Sequence, residues 1–345
     1  MKAYFPTLMG NETLKQHFGA RVLGHTMAHA YLIQGDVGTG KKTFAHLLAA
    51  AVCCEQKLVD GVPLPCGTCR SCQRMLTDNT PDLTIIERGE NATIGIDAIR
   101  RAKEDMYLSS TENEKKIYMI YEANKMTAAA QNALLIVLEE PPRDVMIFLL
   151  CEDASALLPT VRSRVQTVRM ALFDAEMLRT FLSSNGKAQR LLKEGGAKLE
   201  ELIVAAAGSP GRALQLLEKK EMGSVVARRE AAWAVLVAVH NRTRFSVVYE
   251  AMSHLSTKRQ ELVAELGQLI LAVRDLILLK RDENAPLSFF GDRTAACERC
   301  EILSLRSLFA IYDAVQTAID QLNKNANIGV VTASLSDELR AAPSK

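Results

Sequence analysis

The sequence predicts an α/β domain built on a parallel sheet, followed by all-α domains. Short β-branched runs alternate with helical patterns through about residue 170, which is typical of a parallel sheet covered by helices on both faces. From Asp174 onwards the spacing of apolar residues is wholly helical. The length of 345 residues exceeds what one hydrophobic core usually organises, so several domains are expected.

Five apolar runs predict the strands, namely Tyr31–Ile33, Leu83–Ile86, Ile117–Tyr121, Val145–Cys151 and Val165–Met170. Between the strands, apolar residues recur at three- and four-residue intervals, which predicts the helices Thr43–Val52, Ile96–Lys103 and Ala128–Leu138. The pair Pro141-Pro142 ends the last of these helices.

Three domains are expected, at residues 1–172, 173–222 and 223–345. The second is small and helical, and the turn sequence Gly208-Ser209-Pro210-Gly211 interrupts it. The third carries long amphipathic helices, predicted at Val225–Val239, Phe245–Leu255, Arg259–Lys280 and Leu303–Leu322. A bundle without a polar cluster indicates either an interaction surface or a self-contained core, and the sequence does not separate the two.

A glycine-rich loop, GDVGTGKKT at residues 35–43, follows the first predicted strand and opens the first helix. In ATP-binding loops of this form, backbone N–H groups hold phosphate oxygens, a Lys reaches the outer phosphates, and the next Ser or Thr binds Mg²⁺. Here Lys42 takes that last position, and an ammonium cannot coordinate a cation. Thr43 points about 100° further round the helix. The candidate phosphate-binding residues are Gly35, Gly38, Gly40, Lys41 and Thr43, with weak or no nucleotide binding expected.

The end of the third predicted strand shows a second loss of metal-binding chemistry. ATPases of this type carry an acidic pair there, the first residue for the metal and the second to activate water. Tyr121 takes the first place, and a phenol with a pKa of about 10 is a poor ligand for a hard cation. Glu122 takes the second, either as a general base or as a solvated carboxylate. The chain is therefore expected not to hydrolyse ATP, and ATP is a doubtful cofactor.

Five of the eight cysteines lie between Cys53 and Cys72, which indicates a metal site and not disulfides. Cys66, Cys69 and Cys72 recur at CxxCxxC spacing on a glycine-containing turn, so their thiolates converge, and Cys54 can close a tetrahedron around Zn²⁺. Cys53 is the rival fourth ligand, and a set of buried or free thiols is the alternative to a metal. Because no His or Glu pattern of a catalytic zinc is nearby, the prediction is a structural zinc knuckle.

Composition and charge bear on where the protein is located and on whether it binds DNA by itself. The net charge of +2 provides no global basic field, so any DNA contact is local or shared with partners. The first twenty residues contain no apolar signal region, and Arg274-Asp275 interrupts the apolar stretch Leu266–Leu279, so a cytoplasmic protein without a membrane span is expected. Cys297 and Cys300 lack a second pair and are interpreted as thiols on a helix face.

Six motifs together resemble the delta prime subunit family of bacterial DNA polymerase III clamp loaders, relatives of the AAA+ ATPases. They are HAYLIQG at 29–35, GTGKKT at 38–43, PCGTCRSC at 65–72, TAAAQNALLIVLEEPP at 127–142, LPTVRSRVQ at 158–166 and GSPGRAL at 208–214. The resemblance is close over the first domain and looser beyond it. It implies an AAA+ type domain with a zinc-binding insert at about 53–74, a small helical lid domain and a helical collar domain that holds a hetero-pentamer.

The resemblance also implies site residues and partners. In Ser163-Arg164-Val165, which matches the family's Ser-Arg-Cys except at its third position, Arg164 is the arginine finger presented to the ATP site of a neighbouring motor subunit. The alternative for Arg164 is a local surface ion pair. Arg212 matches a sensor position, and Glu152 and Asp153 stand where active relatives sense the γ-phosphate. The implied partners are tau/gamma-type motor and delta-type subunits, with the sliding clamp and primed DNA reached through the complex.

Two other functions are open. The chain could be an active AAA+ motor subunit or a stand-alone P-loop ATPase, with Thr43 or a water replacing the usual metal ligand. It could also be a zinc module that reads nucleic acid, although only Arg70 and Arg74 flank the knuckle and no aromatic residues alternate with them. We expect a non-hydrolysing clamp-loader subunit that lends Arg164 to its neighbour.

Overall fold

The computed structural model of the chain describes residues 3–89, 92–195, 199–218, 222–240, 245–283 and 303–341, with 285, 287, 289, 290, 296 and 297. It divides into two compact units, Met1–Phe173 and Asp174–Lys345. The named strands all lie in the first unit, and the named elements of the second unit are helices.

Five strands form one parallel sheet in the first unit, in the order β2-β3-β4-β1-β5. The strands are β1 (Ala30–Gln34), β2 (Leu83–Ile86), β3 (Lys116–Ile120), β4 (Val145–Cys151) and β5 (Gln166–Arg169). Because β3 and β4 are buried along their whole length, they appear in the sequence as continuous apolar runs. The predicted parallel sheet is confirmed, although Tyr121 lies just after β3 and Val165 just before β5.

Helices cover both faces of this sheet. They are α1 (Glu12–Leu23), α2 (Lys41–Val52), α3 (Arg70–Leu76), α4 (Ile96–Met106), α5 (Ala128–Glu139) and α6 (Pro159–Arg162). Tyr31 and Ile33 of β1 belong to a buried cluster with residues of α1 and α2, whereas Leu32 belongs to a second cluster with residues of α4 and α5. Successive strand residues point to opposite faces, so the two clusters lie on opposite sides of the sheet.

The carboxyl ends of β1, β3 and β4 meet at one edge of the sheet, and this edge positions the candidate site. Gly35 follows β1, Tyr121 follows β3 and Glu152 follows β4. Gln34 and Cys151 are partners in the register, and Gly35 N donates to Cys151 O at 3.3 Å. The glycine-rich loop therefore lies at the sheet edge where ligands bind in open α/β folds.

The second unit contains a series of helices, most of them amphipathic. They are α7 (Ala175–Ser184), α8 (Gly186–Gly195), α9 (Leu199–Ala206), α10 (Pro210–Glu218), α11 (Met222–His240), α12 (Phe245–Ser253), α13 (Arg259–Leu279), α14 (Leu305–Asn323) and α15 (Ile328–Ala341). Asp174 begins α7 and Ser304 begins α14, each by accepting a backbone N–H three residues on. Helices α11 to α15 share one buried cluster, around Leu266, Leu269 and Ile311.

The sequence patterns did not predict α1, α3, α6 or α15. Helix α8 lies within the stretch from Asp174 onwards that was predicted to be helical, and its apolar residues Ala188, Leu191 and Leu192 have helical spacing. Helix α1 has little apolar periodicity, although Asn11 and Glu12 are residue types typical of a helix start. Among the described residues, no helix is long and apolar enough to span a membrane.

Candidate functional sites

The glycine-rich loop between β1 and α2 depends on its glycines. Gly38 and Gly40 have φ values of 79° and 90°, in the left-handed region where a side chain is strained. A Cβ on Gly35 would lie 2.9 Å from Thr39 Oγ1 and 3.0 Å from Met170 Cβ. The glycines that the motif predicted are therefore needed for the shape of the loop, with or without a bound phosphate.

Lys41 is the first residue of α2, and its ammonium turns back onto the loop. Nζ donates to Gly35 O at 2.6 Å and to Asp36 O at 2.8 Å. Burial lowers the pKa of Lys41, and the nearby Glu152 carboxylate acts in the opposite direction. A phosphate that bound this ammonium would have to compete with two carbonyl oxygens. Thr43, the other expected ligand on α2, is exposed.

Lys42 and Tyr121 lie together at the position expected for the magnesium ligands. Lys42 Nζ is 3.9 Å from the centroid of the Tyr121 ring, which is a cation–π contact. The Tyr121 hydroxyl lies 2.6 Å from His46 Nε2, and His46 Nδ1 lies 3.1 Å from Asp78 Oδ1. Burial raises the pKa of Tyr121 to about 12, so the phenol is neutral at pH 7. A cation and a neutral phenol offer no ligands to a hard divalent ion.

Glu122, the candidate general base, is engaged in an ion pair. Arg88 Nε donates to Glu122 Oε2 at 2.8 Å, and both side chains are in contact with solvent. The guanidinium therefore occupies a carboxylate oxygen that a general base would use to accept a proton. This geometry favours the interpretation of Glu122 as a solvated carboxylate at a strand end.

Cys54, Cys66, Cys69 and Cys72 form a compact cluster in which the four sulfur atoms lie within 4.8 Å of one another. The Cys66 and Cys72 sulfurs are 3.8 Å apart, close to the edge of a tetrahedron with Zn–S bonds of about 2.3 Å. Burial acts to raise the pKa of Cys66, but hydrogen bonds from Cys69 and Thr68 lower it to about 6. An all-sulfur set with no open position fits a structural zinc ion.

Cys53, the rival fourth ligand, lies outside this cluster. Its thiol donates to Lys115 O at 3.8 Å, and burial raises its pKa to about 12. The structure therefore places Cys54, and not Cys53, beside the other three sulfurs. Cys297 is partly buried, and Cys300 lies outside the described residues.

Glu112 faces both arginines that flank the cysteine cluster. Its carboxylate lies 3.6 Å from Arg70 Nη2 and 2.5 Å from Arg74 Nη1. Arg74 Nε also donates to Asn79 O at 2.5 Å. Because this carboxylate offsets the positive charge of the two arginines, they are poorly suited to bind a nucleic-acid backbone.

Arg164 follows α6 and reaches the end of α5. Its Nη2 lies 2.6 Å from Glu139 Oε1, while its Nη1 donates to Thr160 O at 3.0 Å and is 3.3 Å from Ser163 Oγ. The Arg164 side chain is 36% exposed. The guanidinium is therefore paired within the chain and also accessible from outside it.

The other residues near the expected sensor positions make local contacts. Asp153 caps a short 3₁₀ turn by accepting from Ser155 N at 2.8 Å. Arg212 lies in α10 of the second unit, where its backbone N donates to Ser209 Oγ at 3.2 Å. The Asp153 contact gives that carboxylate a structural role.

His46, Asp78 and Glu139 belong to these sites, but the sequence patterns did not identify them. His46 lies four residues after Lys42 and so on the same face of α2, which was the one available signal. Asp78 and Glu139 meet their partners only through tertiary packing.

The parallel sheet and its glycine-rich loop define an α/β protein on a nucleotide-binding type of scaffold. Residues 10–174 match the family described as DNA polymerase III, delta subunit. The delta prime subunit of DNA polymerase III from Bacillus subtilis is 39% identical over 142 residues, covering 41% of this chain and 42% of that protein. Its counterpart from Haemophilus influenzae is 30% identical over 230 residues, covering 66% of this chain and 65% of that protein.

The expected resemblance is confirmed: residues 10–174 are similar to the DNA polymerase III delta subunit family, and these two relatives are delta prime subunits. A gamma/tau subunit from Mycobacterium tuberculosis is 26% identical over 227 residues, covering 64% of this chain and 38% of that protein. The chain thus spans less than two thirds of the length of these relatives.

Two solved structures align with most of this chain, at low sequence identity and low TM-score. A DNA polymerase III gamma subunit-related protein from Thermotoga maritima has a TM-score of 0.39 and 18% identity, covering 96% of this chain and 98% of that chain. The RuvB Holliday junction branch migration motor from the same organism has a TM-score of 0.42 and 15% identity, covering 92% and 90%.

Proposed function

We propose that this chain is a non-hydrolysing subunit of a DNA polymerase III clamp loader, and that it supplies Arg164 in trans to a neighbouring motor subunit. In this proposal the chain has an AAA+ type domain, a small helical lid and a helical collar. Its partners are tau/gamma-type and delta-type subunits in a hetero-pentamer. The complex as a whole contacts the sliding clamp and primed DNA.

The contact between Lys42 and Tyr121 is the single observation that carries the non-hydrolysing role. Phosphoryl transfer of this kind depends on Mg²⁺ held by a hydroxyl and a carboxylate, which neutralises charge on the outer phosphates. Here the two positions hold an ammonium and a buried neutral phenol, 3.9 Å from ammonium to ring centroid. The Arg88–Glu122 ion pair also occupies an oxygen of the candidate base.

The trans role of Arg164 is supported by its accessibility and by the family relationship. A guanidinium is always charged and can form a two-pronged contact with a γ-phosphate. Arginine fingers contribute about 10³- to 10⁵-fold to the rate in P-loop enzymes. A subunit without its own magnesium chemistry can therefore still accelerate hydrolysis by a neighbour.

Steady-state ATPase measurements test this function. The isolated chain is expected to show no activity above background. The complete complex with clamp and primed DNA is expected to be active, and Arg164→Ala is expected to reduce that activity at least tenfold, because a phosphate-stabilising charge is lost. Arg162→Ala, an exposed arginine two residues earlier, is the matched control and is expected to retain activity. Equal rates for Arg164→Ala and the unmodified complex would contradict the finger assignment.

The gamma/tau similarity favours the second candidate, an active motor subunit. The same assay separates the two functions. Magnesium-dependent ATP hydrolysis by the isolated chain, abolished by Lys41→Ala, would establish the motor and contradict the inactive cleft.

The cysteine cluster is proposed to hold one structural zinc through Cys54, Cys66, Cys69 and Cys72. The sulfur positions and the absence of an open ligand position in this set support that assignment. Glu112 offsets the charge of the flanking arginines, which makes a stabilising insert a better proposal than a nucleic-acid reader.

A further inference from the structure

Glu139 is the residue that holds the Arg164 guanidinium within the chain. The Glu139 Oε1 to Arg164 Nη2 distance is 2.6 Å, which is a charge-assisted hydrogen bond. Nη1 of the same guanidinium donates to Thr160 O. The carboxylate therefore occupies a donor that a two-pronged contact with phosphate would use.

The position of Glu139 explains why this pair forms and why it is easily exchanged. Glu139 is the last residue of α5, where the helix dipole disfavours a negative charge, so a guanidinium alongside it is stabilising. The side chains of Arg164 and Glu139 are 36% and 49% exposed, so water screens their attraction. Exposed pairs of this kind are weak, so another anion can displace the carboxylate.

We propose that Glu139 is a positioning residue that competes with the neighbouring ATP for Arg164 and releases the guanidinium when a phosphate binds it. The inference rests on the proposed trans role of Arg164. A triphosphate carries more negative charge than one carboxylate and offers the same two-oxygen geometry, so it can displace Glu139. The exchange replaces one ion pair by another and involves no covalent step.

The test is the Glu139→Gln variant in the complete complex, with ATPase rate measured against ATP concentration. Glutamine keeps the side-chain length but removes the competing charge. We expect the half-saturating ATP concentration to fall about two- to fivefold, the range that corresponds to an exposed ion pair. The maximal rate is expected to change less than about twofold, because Arg164 already contacts phosphate at saturation.

Glu140→Gln is the matched control. It removes the same charge at the next residue, which is exposed and forms no ion pair with Arg164 among the described residues. The ATP dependence of this variant is expected to match that of the unmodified complex. A shift equal to that of Glu139→Gln would overturn the proposal, since it would reflect general surface charge.

The double variant Glu139→Gln with Arg164→Ala separates a positioning role from a structural one. Without the guanidinium there is nothing to release, so Glu139→Gln should have no further effect in this background. Three results would overturn the positioning role alone. Glu139→Gln could still shift the half-saturating ATP concentration in the Arg164→Ala background. The single variant Glu139→Gln could have a lower maximal rate, or it could leave the half-saturating ATP concentration unchanged. If Arg164→Ala itself leaves the rate unchanged, the proposed trans function fails, and this inference fails with it.

Discussion

Asp82 is a buried carboxylate that organises the loop opposite the cysteine cluster. Its two oxygens accept the backbone N–H groups of Thr111, Glu112 and Asn113 at 2.7 to 2.8 Å. Burial acts to raise the pKa of Asp82, but these hydrogen bonds outweigh it and lower the pKa. The loop that Asp82 holds in place presents Glu112 to Arg74 of α3. One carboxylate thus links the start of β2 to the cysteine-bearing insert.

We expect Asp82→Asn to destabilise the first unit by at least about 2 kcal/mol at pH 7, because the charge-assisted hydrogen bonds that Asp82 accepts from three backbone N–H groups are lost or weakened. The pKa of Asp82 is lower in the folded than in the unfolded chain, so its stabilising contribution is present above about pH 4. That contribution is lost as the pH falls through the folded-state pKa. Urea unfolding of both proteins from pH 7 down to pH 3 measures the difference, which should shrink at the acid end.

Asp144→Asn provides the control for this pH dependence. Asp144 is largely exposed, and its carboxylate lies 3.4 Å from Lys115 Nζ. A surface pair of that kind contributes at most about 1 kcal/mol. A loss in Asp82→Asn no larger than in Asp144→Asn, or one independent of pH, would show that the buried hydrogen bonds are not stabilising.

Single residues were predictable where a motif fixed their neighbours in the sequence. Lys42 stood out because an ATP-binding loop has a Ser or Thr at this position. Tyr121 stood out because an ATPase of this type has an acidic residue at the end of the strand that became β3. The contact between them could not be predicted, since it depends on β3 and β1 lying on either side of β4 in the sheet. The pairing of Arg164 with Glu139 likewise depends on how α5 packs against α6.

At the scale of elements, the cysteine-bearing insert joins two helices. Cys54 follows α2 closely, Cys69 is the N-cap of α3, and Cys72 lies inside α3. Because α2 also carries the glycine-rich loop, a metal at this cluster would fix the far end of the same helix. The zinc proposal therefore concerns the stability of the whole first unit and not only that of the insert.

Matched serine substitutions test which cysteine completes the set. Cys54→Ser is expected to reduce bound zinc from about one per chain to well below one, and to destabilise the first unit, because a structural zinc contributes on the order of 10 kcal/mol to a small site. Cys53→Ser, one residue earlier and also buried, should keep the zinc. Metal analysis of protein purified without chelators gives the readout. Zinc retained in Cys54→Ser but lost in Cys53→Ser would reverse the assignment of the fourth ligand.

The strands were predictable because buried β-branched runs are distinctive, and the observed β2 and β4 coincide with the predicted ranges. The order of strands was not predictable, since it arises from crossovers between distant segments. The ends of helices were harder to predict than the strands. Helix α2 begins at Lys41, two residues before the predicted start, because the glycine-rich loop leads directly into it. Helix α15 was missed because its apolar residues are interspersed with small and polar ones.

At the scale of the whole molecule, each of the three buried clusters consists of residues from one unit. Both clusters around the sheet contain only residues before Phe173, whereas the third cluster, in the described part of the second unit, contains only residues from Ala232 onwards. Units with separate cores can unfold as separate cooperative transitions. The only tryptophan of the chain, Trp233, packs edge-on against Phe290 at a centroid distance of 5.7 Å and so reports on the second unit.

We therefore expect zinc removal to affect one transition and not the other. A chelator should lower the temperature at which the first unit unfolds, seen as part of the loss of helix and strand signal by circular dichroism, because the proposed zinc binds only that unit. Fluorescence of Trp233 should report an unfolding midpoint that is unchanged within about 2 °C, since its surroundings lie in the third cluster. Cys54→Ser should reproduce the chelated profile without chelator. A parallel shift of the Trp233 midpoint would mean that the two cores unfold as one unit, whereas no shift in either signal would mean that the cysteine cluster does not stabilise the fold through a metal.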